Sequence, residues 1–292
     1  MPGQEPLPLP PKHADILAQE LLHGRLVLFV GAGLSRLAPA KDGGDRRLPL
    51  WKELTEQVAQ ACQENPADYN SDPLDLFDAV VYGQQRFKLE QAVRTALDDK
   101  AFQFSTAHEA LKELPWAAVV TTNYDSLLQR LLDEEPVYEE QDYDRLTMPS
   151  GQQPRLIQIH GALRRPHTLT RDDYRLWPEQ HPRAYRHLEQ IVLEKTVLFV
   201  GYSLSDPHLD SLLAVVKKIT AGREKRLYTW MWRLPDGKAK LLDRRDKIEA
   251  ISIEREEEWA TAFGQLHAAL RAYTETTTFP INDLSVRSSF LG

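Results

Sequence analysis

Residues able to do chemistry follow four apolar segments of this 292-residue chain, each at the point where the segment ends. The groups combine glycine turns with hydroxyl, amide, carboxylate and imidazole side chains: Gly31, Ala32, Gly33 and Ser35; Asn123 and Asp125; His160; Gly201 and Ser203. A glycine turn lets the backbone approach a phosphate, to which the following amides and a serine hydroxyl can donate hydrogen bonds. A neutral imidazole accepts a proton near pH 7. Together these residue types indicate a phosphate-bearing ligand with a base beside it.

Each group also has a purely structural interpretation. Arg36 occupies the place of the third glycine in the dinucleotide-binding fingerprint, so the first glycine turn is equally compatible with an ordinary strand-to-helix connection. Asn123 and Asp125 are good capping residues for a helix predicted over 124–132. Most histidines are surface or core residues, but His160 stands at a strand end, which favours a role at a ligand.

The elements that must position these residues alternate between strand and helix patterns. Apolar, β-branched segments predict strands over 25–30, 117–122, 156–159, 196–200, 226–232 and 248–253. Helical periodicity falls between many of them, over 14–22, 51–62, 89–97, 124–132, 207–219 and 257–273. The alternation predicts an α/β fold, a Rossmann-like parallel sheet with helices on both faces. Ligands of such sheets bind outside the carboxyl ends of the strands, where the four groups lie.

Long stretches over 37–106, 133–155 and 164–194 do not fit the alternation. Residues 37–106 contain helical patterns and turn signals but no convincing strand, and they predict an inserted helical cap over a ligand cleft or, alternatively, a surface elaboration. The proline-rich residues 1–12 predict a flexible tail. We therefore expect one catalytic domain over 13–275, followed by a C-terminal tail over 276–292.

Composition excludes several classes of protein. Lys and Arg total 36 against 43 Asp and Glu, and the net charge of -7 disfavours a generally basic nucleic-acid-binding surface. Cys62 is the single cysteine, so neither an internal disulfide nor a multi-cysteine zinc site is expected. No apolar run reaches about 18 residues, and the N-terminus lacks a signal pattern. We expect a soluble cytoplasmic protein with no membrane partner and no direct nucleic-acid partner.

The motifs GAGLS, TTNYD, IHG and GYSLSD occur in this order, each after a β-like segment. As an ordered set they resemble the sirtuin NAD-binding fold over about Leu26 to Asp206. The resemblance implies roles for every residue of the four groups: phosphate and ribose binding by Gly31, Ala32, Gly33 and Ser35, the nicotinamide ribose beside Asn123, the carboxamide at Asp125, the catalytic base at His160, and the adenosine side at Gly201 and Ser203.

The strings LTRDDY, from Leu169 to Tyr174, and GYSLSDP resemble the prokaryotic sirtuin-like branch, which is associated with antiphage defence and NAD hydrolysis. Deacylating sirtuins hold a structural zinc with four cysteines, whereas this chain has one. The resemblance therefore implies an NAD⁺ glycohydrolase that depletes NAD in antiphage defence, with NAD as substrate and no metal. The alternatives are an NAD-dependent protein deacylase, an ADP-ribosyltransferase or cyclase, and a non-catalytic nucleotide-binding sensor or scaffold.

Members of that branch are often fused to or paired with a sensor, such as a nucleic-acid-guided protein or a HerA-type ATPase. This chain has little length beyond the predicted catalytic domain. The resemblance thus implies a separate sensor or activator protein, together with a homo-oligomer.

Overall fold

A six-stranded parallel sheet forms the centre of the computed structural model, which describes residues 7–147, 154–202, 214 and 227–277. Its strands are β1 (Leu26–Val30), β2 (Ala118–Thr121), β3 (Leu156–Gln158), β6 (Thr196–Val200), β7 (Leu227–Trp232) and β8 (Ile248–Ile253). Two short strands, β4 (Gly161–Ala162) and β5 (Arg165–Pro166), form a separate antiparallel hairpin. All six predicted strands are confirmed.

The order across the sheet is β3-β2-β1-β6-β7-β8. Without the hairpin this is the doubly wound order 3-2-1-4-5-6, whose direction reverses between β1 and β6. Phe29 in β1 lies in register with Val120 on one side and Phe199 on the other. The predicted Rossmann-like α/β fold is therefore confirmed, and its switch point lies where β1 and β6 end.

Helices cover both faces of the sheet because successive strand residues point to opposite sides. Leu28 packs in a core with Leu17 and Phe263, whereas the neighbouring Phe29 packs in a second core with Leu188. The helices are α1 (Pro11–Leu22), α2 (Ala32–Ser35), α3 (Trp51–Cys62), α4 (Pro73–Gln84), α5 (Arg86–Ala96), α6 (Thr106–Lys112), α7 (Leu127–Leu132), α8 (Arg171–Gln180), α9 (Pro182–Glu194), α10 (Asp236–Leu241) and α11 (Glu257–Thr277). Within the described parts of the chain, none of them is long and apolar enough to cross a membrane.

The insertion after β1 forms its own helical unit from α3, α4 and α5, here called the cap. Val58, Phe77 and Val93 are buried in a third apolar cluster of this unit. The chain enters and leaves the cap at one neck, where Ala40 and Phe102 form an isolated antiparallel bridge. The predicted strand-free insertion over 37–106 therefore corresponds to a helical unit closed at its base.

Three boundaries differ from the predicted ones. Helix α1 begins at Pro11, and Leu9 is buried with its backbone bonded to Gln265, so part of the predicted tail of residues 1–12 packs against the domain. Helix α7 begins at Leu127 rather than at residue 124, because the carbonyls just before it accept bonds from β3 and the hairpin. Helix α11 runs to Thr277, two residues into the predicted C-terminal tail. Apart from residue 214, the predicted helix over 207–219 lies outside the described residues, as does 278–292.

Candidate functional site

Two glycine turns meet at the switch point. The amide of Gly31 donates to the carbonyl of Val200 (3.0 Å), and that of Gly33 donates to Gly201 (2.9 Å). A Cβ atom on Gly31 would lie 2.5 Å from the carbonyl oxygen of Gly201, which is closer than real contacts allow. Gly201 itself has φ +61°, a left-handed conformation that favours glycine. Glycine is therefore required here for two loops to touch, and a phosphate-binding role of the loop stays a prediction.

A buried hydrogen-bonded cluster joins the first two predicted groups. The Ser35 hydroxyl donates to Oδ2 of Asp125 (2.8 Å) and accepts from Nδ2 of Asn123 (2.9 Å). All three residues are buried. Ser35 is 88 positions from Asn123 and 90 from Asp125 in sequence. The three residues meet because they follow β1 and β2, which are adjacent parallel strands. This trio is here called the strand-end cluster.

The carboxyl of Asp125 titrates high for an aspartate. Burial raises its pKa from 3.8 to about 6, although bonds from the Ser35 hydroxyl and the Leu127 amide lower it. The Leu127 amide donates to Oδ1 (3.1 Å), so Asp125 also satisfies a free amide at the start of α7. Asp125 is thus both a capping residue of α7 and a member of the strand-end cluster. At pH 7 most Asp125 side chains carry a charge that a hydrogen-bond donor would stabilise.

His160 follows β3 after one intervening residue and is almost completely buried, with 2% of its surface exposed. Its ring lies 6.2 Å from that of Tyr124, which separates Asn123 from Asp125 in sequence, and 5.3 Å from that of Tyr174 in an edge-on contact. Burial lowers the pKa of His160 to about 3, with a smaller contribution from His167. The imidazole is therefore neutral at physiological pH and able to accept a proton.

Comparison with known proteins matches residues 117–254 to the SIR2-like domain family. The match begins at β2 and ends just after β8, so it includes Asn123, Asp125, His160 and Gly201. Residues 117–254 are therefore similar to SIR2-like domains. The predicted resemblance to sirtuins is confirmed.

Several curated relatives match this chain at modest identity. The chain is 27% identical over 220 residues to a protein named NAD(+) hydrolase ThsA from Bacillus cereus (strain MSX-D12), covering 72% of this chain and 44% of that protein. A second ThsA, from Acinetobacter baumannii (strain 532279), is 27% identical over 210 residues, which is 70% and 41% of the two chains. Defense-associated sirtuin 2 from Bacillus subtilis is 27% identical over 213 residues, 68% and 20%. The chain thus spans less than half the length of these relatives.

Two polar residues of the matched region that the sequence analysis did not select hold the cluster in place. Thr121 donates from Oγ1 to the carbonyl of Val30 (2.8 Å) and accepts the amide of Asn123 (3.0 Å). Gln158 donates from Nε2 to the carbonyls of Asn123 (3.2 Å) and Asp125 (3.1 Å). Both are polar residues inside otherwise apolar strands, and that exception is the signal by which they could have been found.

Ala32 and Ser203 are the remaining predicted site residues, and Arg36 occupies the position of the missing third glycine. Arg36, at the third-glycine position, forms an ion pair with Glu53 of the cap and donates to the carbonyl of Leu48 (3.4 Å). Ala32 lies in the single turn of α2. Ser203 is outside the described residues. Within those residues, no group of three or more His, Cys, Asp or Glu side chains is arranged to hold a metal ion.

Proposed function

We propose that this chain hydrolyses NAD⁺ to ADP-ribose and nicotinamide. The observation that carries the proposal is the strand-end cluster of Ser35, Asn123 and Asp125, assembled after β1 and β2 beside the switch point, with two of its three residues in the region similar to SIR2-like domains. Dinucleotides bind doubly wound sheets at this point. The names of the relatives, NAD(+) hydrolase among them, support the same substrate.

The reaction replaces one bond at the ribose. The C1′–N bond breaks with its electron pair moving to the pyridinium nitrogen, so nicotinamide leaves neutral. The oxygen of water forms the new bond to C1′, and one proton is released. Because the leaving group is already good, positioning and charge placement dominate the catalysis.

Each predicted residue has a task that fits its surroundings. Asn123, held by Ser35 through Nδ2, would orient water or the ribose hydroxyls with its carbonyl oxygen. The Asp125 carboxylate would accept a hydrogen bond from the carboxamide amine of nicotinamide. His160 would take the proton from water or a ribose hydroxyl. Burial, which keeps the His160 imidazole neutral, also makes it a weaker base than an exposed histidine.

The test is product analysis on the purified chain. Incubation with NAD⁺, followed by chromatographic separation, is expected to give nicotinamide and ADP-ribose in equal amounts, unaffected by a metal chelator. Cyclic ADP-ribose, an ADP-ribosylated protein, or turnover that requires an acylated lysine peptide would each replace hydrolysis by another reaction. Tight NAD⁺ binding without any product would make the chain a nucleotide-binding protein.

The proposed biological role follows from the toxicity that NAD⁺ depletion has for the host cell. An NAD⁺ hydrolase would deplete a cytoplasmic cofactor that its host needs, so we place it in the cytoplasm as a defence effector of low resting activity. Its homo-oligomer would be switched on by a separate sensor protein, such as a HerA-type ATPase, that binds the active arrangement of the cap more tightly than the resting one. Light scattering and turnover with and without the neighbouring gene product test this; a fully active monomer would contradict it.

A further inference from the structure

The hairpin that follows His160 is too short to hold its own shape. Strands β4 and β5 contain two residues each, and isolated two-stranded hairpins are marginal even when longer. The hairpin nevertheless returns to the histidine, because the amide of His167 donates to the carbonyl of His160 (2.8 Å). Its geometry must therefore be imposed by neighbouring elements.

Two arginines of cap helix α5 bind four carbonyl groups of this hairpin. Arg94 donates to the carbonyls of Leu163 (3.0 Å) and Arg164 (3.0 Å) in the turn. Arg86 donates from Nη2 to the carbonyls of Pro166 (3.2 Å) and His167 (3.3 Å) on the return strand and just after it.

Carboxylates fix both guanidinium groups in this position. Glu90 lies midway between them on α5 and accepts from Nε of Arg86 (3.0 Å) with one oxygen and from Arg94 (2.9 Å) with the other. Residues spaced by four share one face of a helix, so 86, 90 and 94 form a single row. Asp173 accepts two bonds from Nη1 of Arg86, both at 2.9 Å, and also binds the amides of Leu169 and Thr170.

We propose that Arg86 and Arg94 are positioning residues for the His160 base. This rests on the proposed function, in which His160 accepts the proton. The two arginines place the imidazole by holding the hairpin, and they make the cap helix α5 the element to which the base is fastened. The side chains of Arg86 and Arg94 bond to α5, the hairpin and Asp173, and not to the strand-end cluster. Because they hold only the element that follows the base, we expect their loss to affect the chemical step rather than substrate binding.

The experiment compares Arg86→Gln, Arg94→Gln and Arg86→Lys with the wild-type chain. The glutamine variants are expected to lower kcat by about 10- to 100-fold, since small displacements of a catalytic group have effects of that size, with KM within about threefold. The lysine variant keeps the charge beside Asp173 but not the forked donors, so an intermediate kcat is expected. Hydrogen exchange at the amides of residues 160–168 is expected to accelerate in both glutamine variants.

Arg171→Gln is the matched control. Arg171 joins the same cap to α8 through ion pairs with Asp72 and Asp75, which lie outside the hairpin, and its side chain is half exposed. It is expected to change neither kcat nor exchange at 160–168.

The outcomes distinguish a failure of the positioning role from a failure of the proposed NAD⁺ hydrolysis. Unchanged exchange in both glutamine variants overturns the positioning role, whether or not the wild type turns over NAD⁺. The positioning role is also overturned if Arg171→Gln has the same effects as the glutamine variants at 86 and 94. It is likewise overturned if those variants raise KM and lose thermal stability in parallel with their loss of kcat. A wild type without turnover, combined with accelerated exchange, overturns the proposed function and the catalytic part of this inference while retaining the hairpin contact.

Discussion

The two halves of the candidate site are held by different kinds of interaction. On the sheet side, Ser35, Asn123 and Asp125 bond directly to one another in a buried cluster that follows from the register of β1 and β2. On the other side, His160 depends on a short hairpin that ion-paired arginines of the cap hold from outside. The sheet fixes the first half as part of the core, whereas the second half moves if the cap moves. This difference offers a physical basis for switching the proposed activity.

Removing either half tests whether both are needed. We expect Asn123→Ala and His160→Ala each to lower NAD⁺ cleavage by about 10²–10⁴, the usual effect of losing a general base or a positioning group, while the fold is kept. Nicotinamide release measures the loss, and circular dichroism checks the fold. Wild-type turnover in both folded variants would show that the site has been assigned wrongly.

The rigidity of the sheet side can be broken at Gly201. An alanine Cβ there would lie 2.4 Å from the amide nitrogen of Leu34 and would also have to adopt a left-handed φ. Gly24 provides the matched control, since it has φ +63° but nothing within 4 Å of its Cβ position. We expect Gly24→Ala to cost about 1–2 kcal/mol of unfolding free energy, and Gly201→Ala about 1–3 kcal/mol more. Equal losses in urea denaturation would mean that the contact between the glycine turns is not tight.

The two halves should respond to pH in opposite directions. The raised pKa of Asp125 means that the native state binds its proton more readily, so this group's contribution to stability declines as pH rises from about 4 to 6. The lowered pKa of His160 means that its contribution is complete above pH 6.5 and declines as pH falls, by up to about 2 kcal/mol at pH 5.

Urea denaturation between pH 5 and 7.5 measures these contributions as differences from the wild type. Asp125→Asn should gain stability relative to the wild type as pH rises through 6, and His160→Gln should gain relative stability as pH falls below 6.5. Profiles parallel to that of the wild type would mean that neither group is as buried as described.

The smallest effect is expected from Ser35. Its hydroxyl lowers the pKa of Asp125, so Ser35→Ala should raise that pKa and move the acidic limb of the pH–rate profile upward by less than about one unit. The rate at pH 8 should fall less than about tenfold. The control is Ser126→Ala, because Ser126 is next to Asp125 in sequence and its side chain makes no capping bond to α7. A limb that shifts equally in both variants would exclude the specific bond to Asp125.

Local pattern was sufficient for the elements that bury apolar residues. Strands such as Leu26–Val30 are apolar on both faces and end at glycine or polar residues, and α3 occupies the predicted residues 51–62 because its periodicity and its turn signals agree. The same strand ends indicated Asn123, Asp125 and His160, since Asn and Asp are unfavourable inside strands and His160 stands between an apolar segment and a glycine. In a doubly wound sheet the carboxyl ends of the strands lie at one edge, so the predicted fold alone implied that these residues are close together.

The tertiary structure alone decided which groups touch. The bond between Ser35 and Asp125 spans 90 positions, and the contact between Arg86 and Asp173 spans 87. No local propensity encodes such pairs, because they depend on strand order and on how the cap docks. The hairpin after His160 was missed for the same reason, since two-residue strands carry no periodic signal and this hairpin is held by bonds to distant parts of the chain, those from α5 among them. The sequence by itself determined the elements and the polar residues at their ends; packing determined the pKa values, the partners and the dependence of His160 on the cap.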